Sequence, residues 1–139
     1  MKLFLPSGVE KMDQDKSSVA EAYKYGRENA KKIASRLGAR KIGRSSSNEY
    51  ELNGKHIVIK SARKNNNDIG VIYSMLERLD YILGSFQAED GSYIIYKLSP
   101  VAFSRSMKLI TIRGGTLEGI VGKDVFQSVG RLLYTLVLD

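Results

Sequence analysis

Residues 48–60, Asn-Glu-Tyr-Glu-Leu-Asn-Gly-Lys-His-Ile-Val-Ile-Lys, read as a β-hairpin whose turn, register and two faces follow from one dipeptide. Asn53-Gly54 suits a two-residue type I′ turn, because both central residues of that turn need φ above zero. Leu52 and Lys55 then flank the turn, so Glu51 faces His56, Tyr50 faces Ile57 and Glu49 faces Val58. Side chains alternate along a strand, which places Tyr50, Leu52, Ile57 and Ile59 on one side and Glu49, Glu51, His56, Val58 and Lys60 on the other. The first side is a core face and the second a candidate site.

Two carboxylates and a lysine on one sheet face suit a divalent cation held on oxygen ligands, with the ammonium orienting a water or a phosphate. An amphipathic hairpin with a solvated polar face shows the same alternation, so both readings stand at this point. A side chain on the polar face is expected to be replaceable by alanine with little loss of stability. His56 is the only histidine and sits beside the turn, where a solvated ring is the ordinary case; with no cysteine in the chain, zinc is not expected.

The chain has 139 residues, enough for one domain with a real core, and no cysteine, so disulfide and thiol chemistry are excluded. Its N-terminal Met-Lys-Leu-Phe-Leu-Pro run is too short for a signal-peptide core, and no stretch approaches the length of a membrane span. An intracellular, cytoplasmic protein without a membrane partner or small-molecule cofactor is expected. The formal charge of +7 is unevenly spread. Residues 16–64 carry 13 Lys/Arg against 4 Asp/Glu, a net of +9, while residues 1–15 and 65–139 each come to −1. Such asymmetry is the footprint of a surface that meets phosphate backbones, or of a solvated basic helix face.

Around the hairpin the pattern predicts an N-terminal arm over 1–15. A helix over about 18–37 opens on the capping box Ser18-Val-Ala-Glu21 and stops at Gly38. Val19, Tyr23, Gly26, Ala30, Ile33 and Leu37 form its apolar stripe, with Gly26 expected to pack closely on the sheet; Lys24, Arg27, Lys31, Lys32 and Arg36 lie off it. A second helix is expected over 68–79 on the stripe Ile69, Ile72, Tyr73, Leu76 and Leu79. A second hairpin pairs 81–87 with 92–98 through Glu89-Asp90-Gly91, and Pro100 closes it. A fifth strand over 108–112 ends at Gly114-Gly115, and Asp124 caps a last helix bearing Val125, Val129, Leu132 and Leu136. Gly119-Ile-Val-Gly122 is not a phosphate loop, since no Gly-Lys-Ser/Thr follows.

The order helix, hairpin, helix, hairpin, with Glu49 on one hairpin strand and Ile57-Val-Ile-Lys60-Ser-Ala-Arg63 on the other, resembles the PD-(D/E)xK nuclease superfamily, which includes restriction endonucleases and Holliday-junction resolvases. The resemblance covers about residues 18–99 and implies a restriction-endonuclease-like α/β fold, a mixed central sheet with flanking helices. It divides a single domain, 1–139, into the arm, the nuclease-like core 18–99 and a C-terminal strand and helix over 100–139. Glu49 falls in the family's first acidic position and Lys60 in its lysine position, but Val58 occupies the second acidic position, so either another acid substitutes or catalysis is lost. Glu51 is the nearest substitute. Glu77 and Glu28, the other positional matches, lie off the apolar stripes and read as surface residues. The implied function is a Mg²⁺- or Mn²⁺-dependent DNA endonuclease acting as a homodimer. Glu49 and Glu51 would hold the metal, Lys60 would orient the water, and Arg40, Lys41, Arg44, Arg63 and Lys64 would grip DNA. The alternative is a catalytically inactive DNA-binding module of the same fold.

Overall fold

Turn chemistry positions the first structural unit. The computed structural model of the protein describes residues 8–44, 46–62 and 65–138. In it Asn53 and Gly54 have φ of 52° and 79°, and strands β2 (Glu49–Leu52) and β3 (Lys55–Ala62) pair antiparallel with Glu49 opposite Val58 and Glu51 opposite His56. Asparagine tolerates the left-handed region and glycine occupies it freely, so the turn sets the register without help from distant residues.

Helix α1 runs Gly8–Leu37 and ends at Gly38, whose φ is 77°. The expected arm over 1–15 lies outside the described residues up to position 7 and is helical from Gly8 onward. The capping box at Ser18 therefore starts nothing. Val9-Glu-Lys-Met-Asp-Gln-Asp-Lys16 holds no Gly or Pro to stop a helix, so the helical backbone continues upstream of the expected start at Ser18.

The short β1 (Arg40–Lys41) pairs β2, and β5 (Tyr81–Gln87) lies parallel to β3, with Ile57 beside Tyr81 and Ser61 beside Ser85. β6 (Tyr93–Leu98) closes the second hairpin at the expected place, and β9 (Arg131–Leu136) pairs β6 antiparallel. The result is a mixed six-stranded sheet in the order β1-β2-β3-β5-β6-β9. A second, antiparallel sheet has the order β4-β8-β7, from β4 (Asp68–Ile72), β7 (Lys108–Thr111) and β8 (Leu117–Gly122).

Two elements differ from the sequence pattern. The expected helix over 68–79 is strand β4 followed by a 3-10 helix at Tyr73–Arg78. Ile69 and Val71 alternate inward across Gly70, so β-branched residues with a period of two outcompete the helical stripe. The expected last helix breaks after α3 (Lys123–Ser128), and residues 131–136 are the edge strand β9. Gly130 donates back to Phe126 O at 3.1 Å, and a Cβ there would sit 2.8 Å from Lys97 O, so the chain turns at 130 and lies against β6. Sequence position alone also concealed α2 (Pro100–Ser106), capped by Ser99 Oγ accepting from Ala102 N at 3.0 Å.

The large sheet is covered on both faces. On one, Ala30, Ile33 and Ala34 of α1 pack on Tyr50, Leu52, Ile57, Ile59, Leu83 and Ile95. On the other, Val58, Ile82, Phe86 and Leu98 lie beneath Ile69, Val71, Phe103, Val121 and Phe126. Each fully buried Ile, Leu or Phe contributes roughly 1.5–3 kcal/mol relative to exposure, so both layers are held by hydrophobic burial. The consequence for the hairpin is direct: its polar face is roofed over at Glu49 and Val58, while Glu51 stays partly solvated. No described helix is long and apolar enough to cross a membrane.

Candidate functional site

Glu49 opens β2 on the roofed face and is only 4 % exposed. A carboxylate there needs partners, and it has two. Arg78, at the end of the 3-10 helix, donates from Nε to Oε1 at 3.1 Å and from Nη2 to Oε2 at 3.0 Å. His56 Nε2 donates to Oε1 at 2.7 Å. The Arg78 hydrogen bonds are the largest influence on the Glu49 pKa; with the His56 bond they outweigh the opposing effect of burial and hold it down at about 2. His56 is thus part of a part-buried network around Glu49 rather than a solvated ring. Its backbone N–H donates to Asp80 Oδ2 and its carbonyl accepts from Asp80 N, both at 2.7 Å, tying β3 to the start of β5.

Glu51 points the same way but meets a different partner, Arg40 Nη2 at 2.6 Å, in an exposed pair. Among the described residues no group of three or more His, Asp or Glu side chains comes together as a metal site. The arrangement does not suit a divalent cation on Glu49 and Glu51, because a cation would have to displace a two-pronged guanidinium from one carboxylate and Arg40 from the other. Glu49 is also not a side chain that alanine can replace cheaply, contrary to the reading of this face as solvated.

Of the five basic residues expected to grip DNA, Arg40 is paired as above. Lys41 is spent internally: its Nζ donates to Arg44 O at 2.7 Å, Ile42 O at 2.8 Å and Ser47 Oγ at 3.2 Å, holding the loop before the hairpin. Burial lowers its pKa and Glu49 partly restores it. Arg44 is exposed, while Arg63 and Lys64 lie outside the described residues. Glu28 and Glu77 are exposed, as expected.

Lys60 is separated from Glu49 in function. It is half-buried in a cavity of about 490 Å³ beside the C-terminal half of β3, and the carboxylate that faces it is Glu118 on β8. Burial lowers the Lys60 pKa and raises that of Glu118; each offsets part of the other's shift. Neither closes an ion pair, since the three pairs among the described residues lie elsewhere. Asn48, Ser61, Asn66 and Asp68 add further polar lining. Glu118 and Arg78 were not legible as site residues. The only sign of Glu118 is a lone charge in the apolar strand Leu117-Glu-Gly-Ile-Val-Gly122, and nothing in the sequence distinguishes Arg78 from other surface arginines.

A concavity of about 910 Å³ runs between α1 and the segment leading into the hairpin. Lys24, Arg27, Lys31 and Lys41 line it with Tyr50, against the single acid Glu28. Lys32 and Arg36 are exposed on the same helix, so its basic residues form a continuous outer surface as the helical wheel predicts. Comparison with protein-family models, curated proteins and solved structures finds no match to this chain.

Proposed function

We propose that the protein binds DNA, with the groove between α1 and the hairpin approach holding the phosphate backbone. The observation that carries this reading is the groove's lining: Lys24, Arg27 and Lys31 stand on one side of one helix with a single opposing carboxylate. Lysine and arginine in such a row displace counterions from a polyanion, which supplies affinity without sequence preference. The restriction-endonuclease-like layout belongs to the same proposal, through its helix-and-hairpin order and the pairing of Glu49 with Val58.

Of the two forms of this function, a binding module without metal-dependent cleavage at the hairpin is favoured, because Arg78 and His56 occupy the carboxylate that a metal would need. The Mg²⁺-dependent endonuclease is the second form, supported by Lys60 lying in a polar cavity with Glu118. A homodimer is proposed as well, since the edge strand β9 exposes Leu132 and Tyr134 beside Val129 and Val137.

The test of binding is the salt dependence of duplex affinity. Each phosphate contact adds about 0.9 to the log–log slope, so replacing Lys24, Arg27 and Lys31 together by Gln should flatten it by about two to three units. An unchanged slope removes the groove from the interface. Incubating supercoiled plasmid with Mg²⁺, Mn²⁺ or EDTA separates the two forms: metal-dependent nicking that disappears in Lys60→Ala supports the nuclease, and intact plasmid in every arm supports the module.

A further inference from the structure

The Lys60 cavity adjoins the basic groove. Ala22, Tyr23 and Gly26 of α1 line the cavity while Lys24, Arg27 and Lys31 of the same turns line the groove. On the hairpin side Asn48 belongs to the cavity, and Ser46 and Tyr50 to the groove. Gly26 does not pack closely on the sheet as its place on the apolar stripe suggests. A Cβ built on it meets nothing within 4 Å, so the missing side chain is part of the cavity's room. On the opposite wall Gly70 does the same, letting the Glu118 carboxylate lie where a Cβ would come within 2.7 Å of Oε2.

This space lies beside the C-terminal half of β3, where β2 has not yet begun to pair with it, between α1 and the second sheet, and its volume is that of a small-molecule site. Three of its polar groups are unspent, while Asn66 Oδ1 accepts from Asp68 N at 3.0 Å. Lys60 and Glu118 face across it without closing a pair, and Ser61 Oγ is buried with no hydrogen-bond partner. Tyr23, 64 % exposed, stands at the rim as a flat surface. A free phosphate does not suit a chamber holding two carboxylates, Glu118 and Asp68, against one lysine. A neutral planar group with donors for a carboxylate beside an acceptor for an ammonium does.

Resting on the proposed DNA binding, we propose that this cavity takes one unpaired guanine base from a strand held in the adjoining groove. Guanine alone among the four bases presents two adjacent donors, N1–H and the 2-amino group, next to an acceptor, O6. The donors fit the two oxygens of Glu118, O6 fits the Lys60 ammonium, and Tyr23 stacks on the exposed ring face. Adenine offers one donor on that edge, cytosine one, and thymine one between two acceptors.

The experiment measures fluorescence anisotropy with labelled oligothymidylates carrying one central guanine, adenine or hypoxanthine, the last lacking only the 2-amino group. The guanine strand should bind about tenfold more tightly than the adenine strand, with hypoxanthine losing most of that margin. Glu118→Gln should abolish the preference. So should Gly26→Leu, whose Cβ meets nothing within 4 Å and whose side chain enters the cavity's room, and which serves if Glu118→Gln melts early. In parallel, dGMP but not dAMP should raise the melting temperature of the wild type, which tests the cavity apart from the groove. Equal affinity for all three strands together with no dGMP effect overturns the proposal, as does a guanine preference that survives both substitutions. If dGMP stabilises the protein but no strand binds, the groove reading fails and the cavity stands.

Discussion

Glu49 shows how one carboxylate changes meaning with its surroundings. The Arg78 and His56 hydrogen bonds hold its pKa at about 2 rather than the ordinary 4.5, so the folded state releases this proton more readily than the unfolded chain. A depressed carboxylate contributes stability above its unfolded pKa and loses it as pH falls through the folded one. The contribution is therefore complete near neutral pH and disappears between about 4.5 and 2. Allowing for screening of the half-exposed Arg78, it amounts to on the order of 2 kcal/mol. Urea unfolding should show Glu49→Gln less stable than wild type by about that amount near neutral pH, with the gap closing across the acid window. A gap that stays constant with pH would mean that the Arg78 pair does not act through ionisation. Arg78→Met should cost roughly 2–3 kcal/mol near neutral pH, because it leaves the buried carboxylate with His56 alone.

Among the elements, strand β5 illustrates why apolar pattern and side-chain volume must be read together. Phe126 of α3 presses on the sheet at Gly84, where an added Cβ would come within 2.6 Å of its ring, and it packs edge-on against Phe86 at 5.5 Å and Phe103 at 6.5 Å. Gly84→Ala should therefore lower stability by roughly 1–3 kcal/mol through overpacking, although alanine is the better strand residue by volume and entropy. Thermal melting of that single variant checks it; an unchanged midpoint would show that α3 shifts freely. The same packing explains the elements that periodicity misassigned. Apolar residues at 125, 129, 132 and 136 fit a helix as well as they fit a short helix, a turn and an edge strand, and only the contact of Gly130 with β6 separates the two.

At the scale of the whole molecule, the basic groove and the apolar edge strand lie apart. The basic groove flanks α1 near one edge of the large sheet, whose other edge is β9 with Leu132 and Tyr134 open to solvent. If β9 joins two copies edge to edge, sedimentation velocity should show a concentration-dependent dimer that Tyr134→Lys returns to monomer. An exposed position makes that substitution nearly neutral for folding, within about 0.5 kcal/mol. A wild type that stays monomeric at all concentrations removes the dimer.

What the amino-acid sequence determined by itself is what short-range geometry controls. Asn53-Gly54 set the hairpin register because φ above zero is a property of those two residues, and Gly38 stopped α1 for the same reason. The basic face of α1 followed from the helical period, and the strands at 81–87 and 93–98 from a local turn. Tertiary structure alone decided which charges meet. Arg78 reaches Glu49 from 29 residues away, and Glu118 stands opposite Lys60 only because β4 and β8 form a second sheet over the first. Such pairings depend on where separate elements pack, and burial then makes them strong by removing the water that would otherwise satisfy each charge alone.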